Sequence, residues 1–225
     1  MRTLISTFAV AAMLAGAPAF AQTAAEPQPA DACQATACRT GGFDAVVLVD
    51  KDHYRTVPIT HSPYVLPDGS ILIFPGETIA IQFRRDGDTL SAPTFYRRFA
   101  PALPARIETG DKVGDDPANA GLPVIKGDVS KDKVAGLPPD TLLLSYGQAN
   151  GQPGMMLFVD HTFARTLKLD ATMSLIGKGR YEQRPTSTCP ILPGVSSFES
   201  WPNPLGPMIL KGFRLLPASD KIVCQ

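Results

Sequence analysis

The sequence predicts an all-β protein, a single antiparallel β-sandwich, of which the immunoglobulin-like fold is one form. Three observations predict it. Short runs rich in β-branched and apolar residues recur along the chain. Proline and glycine, 22 and 19 of them, punctuate the spaces between those runs. No stretch carries the apolar period of a long helix.

Residues 1–21 read as a secretory leader. Met1-Arg2-Thr3 is a short basic start, Leu4–Ala15 an apolar core, Gly16 and Pro18 breakers, and Ala19-Phe20-Ala21 a small-x-small cleavage triplet. Gly16 and Pro18 interrupt the apolar run well before the roughly 20 residues that a spanning helix needs. Cleavage is expected after Ala21. Gln22 stands where a lipid anchor would require cysteine, so the mature chain is expected to be soluble and, in a bacterium, periplasmic. Residues 22–40 are rich in Ala, Pro, Gln and Thr without periodicity and read as a flexible lead-in holding Cys33 and Cys38.

Residues 41–225 form the expected sandwich domain. Phe43–Asp50, bounded by Gly41-Gly42 and Lys51-Asp52, is a strand by composition. Leu66-Pro67-Asp68-Gly69-Ser70 is turn chemistry and leads into Ile71–Phe74. Thr78–Arg84 alternates, with Ile79, Ile81 and Phe83 on one face. Asp86-Gly87-Asp88 then turns it into Thr89–Phe99 as a hairpin.

Residues 100–140, polar and interrupted by Pro and Gly, read as a long irregular excursion between strands. Strand patterns return at Thr141–Tyr146, Met155–Phe163, Thr166–Ile176 and Met208–Leu216. The clearest alternation sets Leu167, Leu169, Ala171, Met173 and Leu175 against Lys168, Asp170, Thr172 and Ser174, which predicts an apolar core face and a polar outer face. In the last strand, Met208 and Leu210 share one face, Ile209 and Phe213 the other. Two smaller β domains joined by residues 100–140 are the alternative architecture.

Charge excludes some function classes. The precursor has 21 basic and 21 acidic residues, so it offers no basic field for nucleic acid or anionic lipid. Cys33, Cys38, Cys189 and Cys224 all lie beyond the leader. An even number in an oxidising compartment implies two disulfides. Of the three connectivities, Cys33–Cys38 with Cys189–Cys224 is favoured. The first pair is local, and the second ties the chain end to a loop before the final strand. Redox motifs use C-x-x-C, and zinc sites want a second closely spaced pair; neither pattern is present.

The chemistry-bearing residues are few. Asp160-His161 invites a dyad, but on a strand the two point to opposite faces, and no G-x-S-x-G surrounds any serine. His53, His61 and His161 with Met155 or Met156 could suit copper, although methionines in apolar strands are more often core filler. Asp111, Asp115, Asp116 and Asn119 carry oxygen ligands without the spacing of a calcium loop. G-x-G-x-x-G and G-x-x-x-x-G-K are both absent, so no nucleotide cofactor is expected.

Phe198–Pro207 stands out. It holds the only tryptophan, Trp201, among Pro202, Pro204 and Pro207. Rigid aromatic loops serve as partner anchors, so Trp201 and Phe198 are the candidate contacts for a protein or small ligand. The competing role for Trp201 is to plug the end of the sandwich beside Cys189. These readings favour a non-catalytic binding or structural module. A hydrolase with an unrecognised site stands second and a copper protein third.

Overall fold

Turn residues bound the strands much as the punctuation predicts. The computed structural model describes residues 29–50, 53–99, 103, 106–109, 112–114, 124–125, 131–148, 152–176, 181–218 and 223–224. The leader and its cleavage site lie outside them. In chain order the elements begin with the helix α1 (Pro29–Ala35), β1 (Cys38–Arg39), β2 (Phe43–Leu48), β3 (Tyr54–Ile59), β4 (Ser62–Pro63) and β5 (Ile71–Ile73). Then come β6 (Glu77–Asp86), β7 (Thr89–Phe99), β8 (Arg106–Thr109), β9 (Lys112–Gly114) and β10 (Val124–Ile125). A 3-10 helix (Lys131–Gly136) leads to β11 (Thr141–Gln148), β12 (Met155–His161), β13 (Leu167–Ile176), β14 (Tyr181–Thr186), β15 (Ser197–Trp201) and β16 (Leu205–Leu215).

Two sheets make an all-β sandwich. One is six-stranded, in the order β10-β7-β6-β11-β12-β15; the other is four-stranded, β14-β13-β16-β5. Alternation decides the core: Ile79, Ile81, Leu142, Leu144 and Leu157 face Leu167, Leu169, Met208 and Leu210, all of them buried. A further sheet, β3-β2-β8-β9, packs its buried Ala45, Val47, Val57 and Ile59 against Phe74, Leu72 and Ile176 of the sandwich. The Gln148 side chain ties it down, accepting from Leu48 N at 2.6 Å and donating to Leu48 O at 2.7 Å.

The segment expected to be an irregular excursion carries β8, β9, β10 and the 3-10 helix. β8 and β9 extend the β2–β3 sheet, and β10 pairs with β7 in parallel. Val134 and Leu137 cover Ala80, Phe99 and Leu143 on the outer face of the six-stranded sheet. Residues 29–39, expected to be flexible, form α1 and β1 and bury Arg39 completely.

The turns follow their chemistry. Gly69 adopts φ +79° and donates to Leu66 O at 2.9 Å, while Asp68 accepts from Ser70 N at 2.9 Å. That pair of Ser70 hydrogen bonds, from hydroxyl and amide, holds the Asp68 carboxyl below its ordinary range. In the β6–β7 hairpin Asp86 pairs with Thr89 across Gly87-Asp88, as the sequence predicts.

β13 departs from the prediction on one face. Leu167, Leu169 and Ala171 are buried, and Met173 and Leu175 pack partly against the same core. Lys168, expected on a solvated face, is only 5 % exposed. The segment around Thr188 covers it, and its ammonium donates to the Thr188 carbonyl. Phe213 also changes side. Gly212, at φ +64°, lies where the β13–β16 register shifts between Lys168 and Asp170. This bulge turns Phe213 inward, 5.0 Å from Phe83.

Candidate functional site

β15 is the free end of the six-stranded sheet. Its position follows from the chain on either side. Leu192-Pro193-Gly194-Val195 makes a tight turn, with Val195 N donating to Leu192 O at 3.3 Å and Gly194 at φ +68°. Pro202 and Pro204 end the strand, since neither can donate to a ladder. Between them β15 pairs antiparallel with β12, and Phe158 lies opposite Phe198.

Alternation splits β15 into two faces. Ser197, Glu199 and Trp201 turn toward the sandwich and are partly buried; Phe198 and Ser200 are exposed. Trp201 packs against the main core and its indole Nε1 donates to Thr186 Oγ1 at 3.0 Å. Glu199 Oε1 accepts from Cys189 N at 2.5 Å. These two bonds tie β15 to the end of β14 and to the segment that follows it.

On the other face Phe198 is 60 % exposed, with its ring 6.1 Å from that of Phe158. Leu192 and Val195 are exposed nearby in sequence. The two residues singled out as contacts therefore part company: Phe198 faces solvent and Trp201 faces the core.

Next to Phe198 lies a shallow pocket of about 110 Å³, lined by Val134, Asp160, His161, Gly194, Val195 and Ser196. Asp160 accepts a hydrogen bond from Ser196 Oγ. His161 belongs to the other face of β12: it is 3 % exposed and its Nε2 donates to the Ile191 carbonyl at 3.1 Å. Nδ1 is buried without a hydrogen-bond partner. Burial lowers the imidazole pKa, opposed by the Ile191 carbonyl and Asp160, so the ring is held neutral. Asp160, Ser196 and His161 thus line one pocket, but the Ser196 proton is directed at a carboxylate, and the His161 imidazole, on the opposite face of β12, is directed at the backbone. Nucleophilic catalysis needs the hydroxyl on the base.

The other candidates are dispersed. His53 is exposed and bonded to Asp50 Oδ1 at 2.6 Å; His61 is exposed beside the Thr40 carbonyl at 3.2 Å. Met155 is fully buried in the core. Among the described residues no group of three or more His, Cys, Asp or Glu could hold a metal. Asp111, Asp115, Asp116 and Asn119 lie outside the described residues.

Both expected disulfides are present, Cys33–Cys38 with Cα atoms 5.6 Å apart and Cys189–Cys224 with Cα atoms 4.2 Å apart. No helix among the described residues is long and apolar enough to cross a membrane.

Sequence reasoning missed Phe158 and Ser196, which only the β12–β15 register and the loop before β15 bring beside Phe198 and Asp160. It also missed a buried Arg39–Glu77 ion pair, since a lone arginine after a cysteine carries no pattern. No protein-family model, curated protein or solved structure matches the chain.

Proposed function

We propose that this protein is an exported, periplasmic β-sandwich that acts as a non-catalytic binding module. Its contact surface is the outer face of β12 and β15, with Phe198 as the anchor for a protein or small-ligand partner. The observation that carries this reading is a large aromatic ring, 60 % exposed, held on a strand between proline-stiffened turns. A preordered aromatic supplies contact area with little ordering entropy left to oppose binding. Phe158, with its ring 6.1 Å away, adds apolar surface beside it. The two disulfides suit an oxidising compartment. The arrangement of Asp160, His161 and Ser196 argues for binding over hydrolysis, because the His161 imidazole is turned to the Ile191 carbonyl and not to the Ser196 hydroxyl.

Immobilised protein incubated with periplasmic extract tests the reading. Phe198→Ser is expected to abolish partner capture and to leave the thermal midpoint unchanged. Tyr54→Ser, an exposed aromatic on another sheet, is expected to retain capture. Equal capture by both variants, or none by the parent, overturns the proposal. N-terminal sequencing of the exported protein should begin at Gln22; an intact Met1 would refute cleavage.

A further inference from the structure

Two guanidinium groups and one carboxylate share the buried region where β1 meets the sandwich. Arg39 is completely buried. Its Nε donates to Glu77 Oε1 at 2.6 Å and its Nη2 to Glu77 Oε2 at 2.7 Å. Nη1 donates to the Pro63 carbonyl at 2.9 Å and Nη2 also to the Leu72 carbonyl at 2.7 Å. The guanidinium stacks 3.9 Å from the centre of the Tyr64 ring and 5.0 Å from that of Phe74. Arg98, only 2 % exposed, is the second cation, and its Nε and Nη1 have no hydrogen-bond partner.

Arg98 is within reach of the same carboxylate. It pairs with Ile79 across β6–β7, and Glu77 lies two residues before Ile79 on the same face. That is a diagonal cross-strand relation, which long side chains span. Tyr64 lies in the field of Glu77, Arg98 and Arg39 together, which places the four side chains in one cluster.

Apart from the Arg39 side chain itself, the backbone ties of its segment are few, and one of them is Gly42 N donating to Ile59 O at 3.0 Å. β1 has two residues, pairing Cys38 with Pro63 and Arg39 with Ser62, and Tyr64 N donates to Ala37 O at 3.2 Å. Gly41 and Gly42 follow at φ +75° and +79°, with Gly41 close against the Thr60–His61 backbone. The Cys33–Cys38 disulfide closes the end of α1 onto β1 and so removes part of the entropy that ordering this segment would cost. Arg98, by contrast, is on a strand that is already ordered. Arg39 wins Glu77 while its segment is pinned, because it makes four charge-assisted bonds and two ring contacts there.

We propose that the Cys33–Cys38 disulfide is the catch of a redox latch: when a dithiol reduces it, Arg39 withdraws with its segment and Arg98 takes over Glu77, leaving the sandwich folded. The dithiol supplies two electrons and two protons. The Cys33–Cys38 bond breaks to two thiols, and the dithiol closes to its own disulfide. Glu77 keeps its bond from Phe74 N, 2.8 Å, throughout, so the carboxylate stays in place while its cation changes.

Cys33→Ser/Cys38→Ser gives the open latch without reductant. Arg39→Met and Arg98→Met are made in the parent and in this background, and thermal midpoints are measured by circular dichroism. In the parent, Arg39→Met is expected to lower the midpoint by about 10 °C, as breaking a buried pair does. In the open background the same change should move it by less than about 2 °C, and Arg98→Met should become the damaging substitution. Arg39→Lys, which keeps the charge and loses the fork, should reproduce this pattern if Arg39→Met does not fold in the parent. Amide exchange supplies a second readout: opening should speed exchange at Tyr64 about tenfold and leave Leu144 protected. A Cys33→Ser/Cys38→Ser protein that does not fold, an equal effect of Arg39→Met in both backgrounds, or unchanged exchange at Tyr64 overturns the proposal.

Discussion

Replacing Trp201 with alanine tests whether the loop's aromatic residues divide as the structure divides them. A fully buried tryptophan hides about 150–250 Å². Trp201 is partly buried, so about 100 Å² is removed from the core, worth about 2.5 kcal/mol at ~25 cal/mol per Å². Its Nε1 bond to Thr186 Oγ1, 3.0 Å, adds about 1 kcal/mol. The expected loss is therefore about 3.5 kcal/mol, which for a chain of this length lowers the thermal midpoint by about 7–14 °C. Phe198→Ala removes a ring that is 60 % exposed and should cost less than about 1 kcal/mol. Urea denaturation of both variants, followed by circular dichroism, gives the two values. Trp201 is the only tryptophan, so its emission in the native parent reports the same burial directly. A Phe198→Ala loss equal to or larger than that of Trp201→Ala would refute the assignment of faces on β15. So would Trp201 emission at the wavelength of the free amino acid.

Three further outcomes follow from burial. Leu169→Ala should cost about 2–5 kcal/mol as a cavity in the main core, read from the urea midpoint. Lys168→Ala should cost about 1–3 kcal/mol, because the Thr188 carbonyl loses a buried donor; a loss below about 0.5 kcal/mol would return Lys168 to a solvated face. His161 has a folded pKa below its ordinary value, so the unfolded chain binds the proton more readily. Its contribution to stability is full above about pH 6.5 and is lost as the pH falls through the lower folded value. The denaturation midpoint should accordingly drop between neutral and mildly acidic pH, and His161→Gln should flatten that drop; an unchanged slope would contradict it.

Period and turn chemistry made much of this fold legible. The alternation of Leu167, Leu169 and Ala171 marks a core strand, and Pro67-Asp68-Gly69 and Gly87 mark turns that the chain does make. What was not legible depends on contacts across the fold. Lys168 looks solvent-facing because alternation knows nothing of the Thr188 segment that covers it. Phe213 is read on the wrong face because one residue at the Gly212 bulge reverses every parity after it. Arg39 looks like part of a polar lead-in, since its partner Glu77 is 38 residues away. At the site, Phe198 and Trp201 were visible as unusual residues. Their opposite orientations follow from alternation along β15, a strand that the proline-rich composition of Phe198–Pro207 hides, and which face meets the core is decided by packing across the fold.

The pairing of β10 with β7 bears on how the chain folds. Adjacent antiparallel strands can be joined by a two-residue turn, as β6 and β7 are. A parallel neighbour cannot, because the chain must return to the starting end of the sheet before it can run alongside. β7 ends at Phe99 and β10 begins at Val124, so the stretch between them is the return path that this geometry demands. Shortening it to a tight loop would forbid the pairing outright. That stretch carries β8 and β9, which belong to another sheet, and so wide a sequence separation delays the contact until the rest of the sheet offers a template. The β6–β7 hairpin is thus placed to form early and β10 to dock late, completing that edge of the sheet as one of the last events of folding.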